Sequence, residues 1–167
     1  KPMVAAAGLA AGSVRETDRF DCRRKGIEVE GRWIRDHADP GIYTLPEVIA
    51  VSANAGIIEV AHRTSPTDLW RALDGFGFGR ATGIGLPAEA DGILQSPERW
   101  SRLSRSGLAL GQELTASPLQ VAAAYAAVAN GGWLLRPRLV ARAAGSEGDL
   151  RGDGIVRTRV LDERLSK

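Results

Sequence analysis

Apolar positions recur along the chain in short helical stretches separated by turn residues. Met3, Val4, Ala7 and Ala11 have helical spacing, and Gly12 marks a stop, so a helix is expected over residues 1–11. Pro2 is tolerated only in a first turn, which puts Lys1 at the helix start. From Arg19 to Arg35 the pattern changes. Ile27 and Val29 alternate with polar residues between Gly26 and Gly31, which predicts a small β-ribbon. Thr44-Leu-Pro-Glu47 reads as a capping box. The helix after it should bury Leu45, Val48 and Ile49, with Ser52 on the same face near its end. Gly56 allows either a break or close packing, and Ile57 to His62 is helical again. Ser65-Pro66 opens another helix that buries Leu69, Trp70 and Leu73 and ends at Gly75. Gly75 to Gly92 is a glycine-rich loop, and Ser96-Pro97 caps a short helix. Ser117-Pro118 caps a longer helix with Leu119, Ala122, Ala123 and Ala126 on its inner face, ending at Asn130-Gly131-Gly132. Strand-like runs follow at 138–143 and 155–161, divided by a Gly/Ser/Asp loop, and a helix begins at Asp162. The expected fold is mainly α with small β-ribbons. It is either a helical domain in its own right or the helical part of a larger α/β domain.

Composition narrows the function classes. A chain of 167 residues corresponds to about one domain and is long enough to bury a core. The net charge is +2, no block of like charge occurs, and aromatics make up 5% of the residues. No nucleic-acid partner is therefore expected. Cys22 is the single cysteine, so an internal disulfide or a cysteine zinc cluster is excluded, and His37 and His62 are too few for a histidine-rich metal site. No metal and no cofactor is called for. No apolar run approaches the roughly 18 residues of a membrane span. The longest, Val121 to Ala129, reads as a buried helix. A start at Lys1-Pro2 rather than Met is read as a sign that the true N-terminus lies upstream.

The candidate chemistry centres on Ser52-Ala53-Asn54. A hydroxyl and a carboxamide two residues apart can relay a proton and hold an amide. The same triplet also reads as an ordinary helix end and turn. Lys1-Pro2 reads as the tail of an S-x-x-K-P motif. In that motif a serine one helical turn before the lysine shares its face, and a lysine of depressed pKa takes the serine proton. S-x-x-K, S-x-N and K-T-G together form the acyl-transfer site known from β-lactamases and penicillin-binding proteins. The remaining polar groups read as structure. Gly75 to Gly85 lacks the Gly-Lys-Ser/Thr of a phosphate loop. Asp36, His37 and Asp39 form a solvated turn, and Asp18, Asp21 and Arg23 belong to a charged ribbon surface. His62 sits against C-terminal helix carbonyls, and Cys22 is half-buried and unreactive. The four tryptophans lie on separate elements and pack in the core or at edges.

The order of motifs resembles class B penicillin-binding proteins, and among them the division-type peptidoglycan D,D-transpeptidases. Lys1-Pro2, the ribbon, Ser52-Ala-Asn54-x-Gly56, Phe76-Gly-Phe-Gly79-x-Ala81-Thr82-Gly83-Ile-Gly85-Leu86-Pro87 and Gly111-Gln112-x-Leu114-Thr115 follow in sequence. Ser117-Pro118-Leu119-Gln120-Val121-Ala122, Ala124-Tyr125 and Ala129-Asn130-Gly131-Gly132 continue the match, which covers Lys1 to about Val140. The resemblance implies the helical subdomain of the β-lactamase/transpeptidase-like α/β fold. Residues 1–167 would form a partial transpeptidase domain, from the lysine of S-x-x-K to just before the K-T-G strand. It implies Lys1 as general base, Ser52 as proton-relay hydroxyl, and Asn54 as holder of the substrate amide, with Ser52 and Asn54 also binding substrate. The residues near Gly111-Gln112 would pack behind the site. Implied partners of the intact parent are peptidoglycan stem peptides, β-lactams and membrane-bound cell-wall synthesis proteins. Its implied location is the extracytoplasmic face of the bacterial envelope, with an anchor outside this chain. Three departures stand out. No serine precedes Lys1, no Lys-Thr-Gly occurs, and Glu113 replaces a small residue, which questions the local backbone fit. The 167-residue chain is therefore expected to be inert alone and to expose apolar surface that drives self-association. Two other readings are a non-catalytic structural or protein-binding module, and a β-lactam sensor or hydrolase. The last would need a group to activate water, which the sequence does not display.

Overall fold

A computed structural model describes residues 1–139 and 157–163. Helix α1 (Pro2–Ala10) is buried from Met3 to Gly8 on every side, as expected for a helix that is apolar all round. It is the axis on which α3 (Asn54–Arg63) and α4 (Pro66–Gly75) pack, with α2 (Leu45–Ala50) at its edge. Further along the chain, α5 (Ser104–Ala109) packs on α3, and α6 (Pro118–Ala129) precedes a final ribbon. The core is formed by Phe20, Val48, Ile57, Ile58, Leu69 and Phe76, each at most 1% exposed, with others around them.

The strands are short and pair antiparallel, two by two. β1 (Arg19–Asp21) pairs with β4 (Ile42–Thr44), and β2 (Gly26–Val29) with β3 (Arg32–Arg35). β5 (Ile93–Leu94) pairs with β6 (Leu114–Thr115), and β7 (Trp133–Leu135) with β8 (Arg157–Arg159). Two-stranded ribbons are marginal alone, so their order depends on packing against the helices. The expected ribbon is the β2–β3 hairpin. Its two-residue turn, Glu30-Gly31, has φ of 48° and 73°, the left-handed pair of a type I′ turn that matches strand twist.

Capping chemistry places the helix starts. The Thr44 N–H donates to the Glu47 carboxylate at 2.7 Å, closing the predicted capping box. Ser65 Oγ accepts the Asp68 N–H at 3.1 Å, with Pro66 next in line. Of the face expected on α4, Leu69 and Leu73 are buried, while Trp70 is half-buried, its enclosed indole N–H without a hydrogen-bond partner among the described residues. Ser96 precedes a single 3-10 turn, Pro97–Arg99. Gly131 and Gly132 end α6 with φ of 89° and 91°.

Several expectations are corrected. α3 runs from Asn54, not Ile57, and passes through Gly56 without a break. Gly56 is there for close packing, since a Cβ at that point would lie 2.6 Å from Val48 Cγ2. Ser52 does not lie on the face of α2 but in the turn after it. The inner face of α6 is Gln120, Ala124 and Ala127, and Ala122 and Ala126 are exposed. The run Val121 to Ala129 is only partly buried, with Val121 and Tyr125 40% and 51% exposed. Because nearly every residue of α6 is apolar, its periodicity fixes no phase, and the polar Gln120 decides it. Gln120 Nε2 donates to the carbonyls of Arg80 and Asp91, both at 2.8 Å, and so ties down the glycine-rich loop. Cys22 is fully buried rather than half-buried. Arg138 and Leu139 are not strand. The remainder of the run 138–143, the Gly/Ser/Asp loop, residues 155–156 and most of the helix expected from Asp162 lie outside the described residues.

Candidate functional site

The turn between α2 and α3 carries the Ser-Ala-Asn triplet. Helix α2 closes with a Schellman motif: the Ala53 N–H reaches Val48 O at 2.9 Å and the Ser52 N–H reaches Ile49 O at 3.1 Å. The residue at the centre of such a motif is left-handed and usually glycine. Here it is Ser52, at φ 56°. A β-carbon is disfavoured in that region, so a serine there marks a position where backbone comfort gives way to the side chain. The turn reading of the triplet holds, and the turn aims the Ser52 hydroxyl at Lys1.

Lys1 enters from the N-terminus of α1. Its Nζ donates to Ser52 O, to Ser52 Oγ at 2.9 Å and to Asn54 Oδ1 at 2.6 Å. All three ammonium protons are thereby engaged. The structure thus gathers Lys1, Ser52 and Asn54 from positions 51 and 53 residues apart in sequence. Burial holds the Lys1 amine below the usual lysine pKa, opposed in part by the negative charge of Asp36. Asn54 is the first residue of α3, and its Nδ2 donates to Arg35 O at 2.9 Å. With Nδ2 committed there, Oδ1 is the end that faces Lys1. Beside Lys1 runs an apolar groove lined by Met3, Phe78, Leu114, Val121 and Tyr125, with Gly111 in its wall.

Asp36 was missed by sequence reasoning. It is not part of a solvated turn, being only 8% exposed. Its Oδ2 accepts the Ala55 N–H at 2.8 Å and its Oδ1 the Ala38 N–H at 3.2 Å. The available signal was indirect. Ala53 cannot cap α3, so an acceptor had to come from a distant part of the chain. His62 is also corrected. Its Nε2 pairs with Ser106 Oγ at 2.8 Å, and its carbonyl accepts from Arg105 at 2.9 Å, so it links α3 to α5 instead of capping its own helix. Glu113 is exposed and lies over Gly107, where a Cβ would come within 2.7 Å of its Cγ.

Comparison with known proteins gives the family of the chain. The penicillin binding protein transpeptidase domain family matches residues 1–161. Penicillin-binding protein PbpB of Mycolicibacterium smegmatis is 38% identical over 116 residues, covering 68% of this chain and 18% of that protein. The peptidoglycan D,D-transpeptidase FtsI of Escherichia coli is 33% identical over 137 residues, covering 82% of this chain and 23% of that protein. Penicillin binding protein 3 of Mycobacterium tuberculosis, solved in complex with aztreonam, superposes with a TM-score of 0.84 at 26% identity over 99% of this chain and 37% of that one. The chain belongs to the penicillin-binding protein transpeptidase family, and its fold is the helical part of that domain. It spans about a fifth of the length of the two curated relatives. Among the described residues, no helix is long and apolar enough to cross a membrane.

Proposed function

We propose that this chain is the segment of a peptidoglycan D,D-transpeptidase domain between the S-x-x-K lysine and the K-T-G strand. In this reading Lys1 is the general base, Ser52 the proton-relay hydroxyl and Asn54 the holder of the substrate amide. The convergence of Lys1 Nζ on both Ser52 Oγ and Asn54 Oδ1 carries it. A serine one turn before Lys1 would give its proton to the lysine and attack the penultimate D-Ala carbonyl of a stem peptide. The C–N bond to the terminal D-Ala then breaks, and the proton passes through Ser52 Oγ to the leaving amine. An amine of a second stem attacks the acyl-enzyme, which forms the cross-link and frees the serine. Burial around Lys1 supports the base role, since it favours the neutral amine. The same serine would be acylated by β-lactams. The work belongs at the extracytoplasmic face of the bacterial envelope, beside membrane-bound cell-wall synthesis proteins.

Without a serine one turn before Lys1 and a Lys-Thr-Gly strand to bind the substrate carboxylate, the 167 residues taken alone are expected not to acylate. The test is labelling with a fluorescent penicillin, read after denaturing electrophoresis. The full-length protein labels, and Lys1→Ala in it reduces labelling by about 100-fold or more. The isolated chain does not label. A full-length protein that resists labelling overturns the acyl-transfer reading, and a labelled isolated chain overturns its inertness.

A further inference from the structure

Helix α3 starts without a cap of its own. Ala53 has no side-chain acceptor, so the first N–H groups of α3 depend on the tertiary structure. Asp36, the residue after β3, meets that need. Its carboxylate takes the N–H of Ala55 at 2.8 Å and that of Ala38 at 3.2 Å. A carboxylate at this end also complements the helix dipole. Its neighbour Arg35 offers the carbonyl that holds Asn54 Nδ2. Arg35 and Asp36 therefore hold this helix start at two adjacent points, Arg35 at the Asn54 side-chain amide and Asp36 at the N–H of Ala55.

We infer that Asp36 is a positioning residue of this site: it fixes Asn54 against Lys1 by capping α3 from a distance, and it sets the charge environment of Lys1. The inference rests on the reading of Lys1 as base. Burial pushes the Asp36 carboxyl up, but the backbone hydrogen bonds and the Lys1 cation outweigh it and leave the group below its ordinary value, hence ionised at neutral pH. The other titratable groups facing Asp36 are the Cys22 thiol and the Tyr43 phenol, both pushed up and so neutral. For Lys1 Nζ, burial lowers the pKa and Asp36 raises it. Removing the anion therefore lets the Lys1 pKa fall further, which moves the acid limb of a lysine-catalysed acylation to lower pH. It also loosens Asn54, because a neutral amide in its place offers one oxygen where two had been used.

The test uses the full-length protein, with acylation by a fluorescent penicillin followed across pH and folding followed by thermal melting. Asp36→Asn is expected to move the acid limb down by about half a unit or more and to lower the plateau rate about tenfold. Asp36→Ser keeps a capping oxygen without the charge, and is expected to show the same shift of the limb. A variant that melts earlier but keeps the unsubstituted limb and plateau reduces Asp36 to a helix cap and overturns the inference. Failure of the unsubstituted protein to acylate overturns the proposed function on which the inference rests, and it is read from a separate sample.

Discussion

Ser52 shows how much a single backbone angle can reveal. Its position in the Schellman turn of α2 is one that glycine fills without strain, and a left-handed non-glycine residue costs about 1–2 kcal/mol. Ser52→Ala keeps that strain and removes the hydroxyl, while Ser52→Gly removes both. The glycine variant is expected to be more stable than the alanine variant by about 1 kcal/mol in denaturant unfolding, after allowing for the entropy of glycine in the unfolded chain. Both should lose acylation in the full-length protein by about 100-fold, because the hydroxyl is missing from each. An alanine variant as stable as the glycine one would mean that the turn stores no strain. Asp36 stands at the other extreme of legibility. Nothing in its local sequence separates it from the exposed His37 and Asp39 beside it. Its burial and its partners are set by a helix end 19 residues further on.

At the level of elements, the packing of α2 on α3 sets the position of Asn54. Gly56 makes this contact possible, since a Cβ there would lie 2.6 Å and 2.9 Å from the two methyls of Val48, which is fully buried. Gly56→Ala is expected to destabilise by about 1–3 kcal/mol and to reduce acylation, since α3 must shift and takes Asn54 with it. In a Val48→Ala background, where the obstructing methyls are gone, the penalty of Gly56→Ala should shrink. A double-mutant cycle by thermal unfolding reads this coupling, and additive penalties would show that the contact is not what matters. Helix starts with a local cap, at Thr44, Ser65 and Ser117, were legible because cap and helix are neighbours in sequence. The start of α3 was not, because its acceptor is distant. The inner face of α6 was not legible either. A nearly uniform apolar helix has no phase until a neighbour defines it, and here the glycine-rich loop does so through Gln120.

For the whole molecule, exposed apolar surface governs how these 167 residues behave by themselves. Val121 and Tyr125 are 40% and 51% exposed beside the groove that reaches Lys1. Apolar surface of this kind favours association. The isolated chain is expected to self-associate in sedimentation velocity, and Val121→Glu combined with Tyr125→Ser should return it toward a monomer. A chain that sediments as a monomer at every concentration removes the expectation. The sequence by itself determined the local events: capped helix starts, the hairpin, the glycine-bearing helix end after Asn130, and the motif order that pointed to the family. Each of these depends on residues close together along the chain, where sterics and hydrogen bonding act without help. Only the tertiary structure decided that Lys1 meets Ser52 and Asn54, that Asp36 is buried and caps α3, and that Gln120 points inward. Those outcomes depend on which distant groups share a buried polar site, because an enclosed donor or acceptor must find its partner wherever the fold provides one.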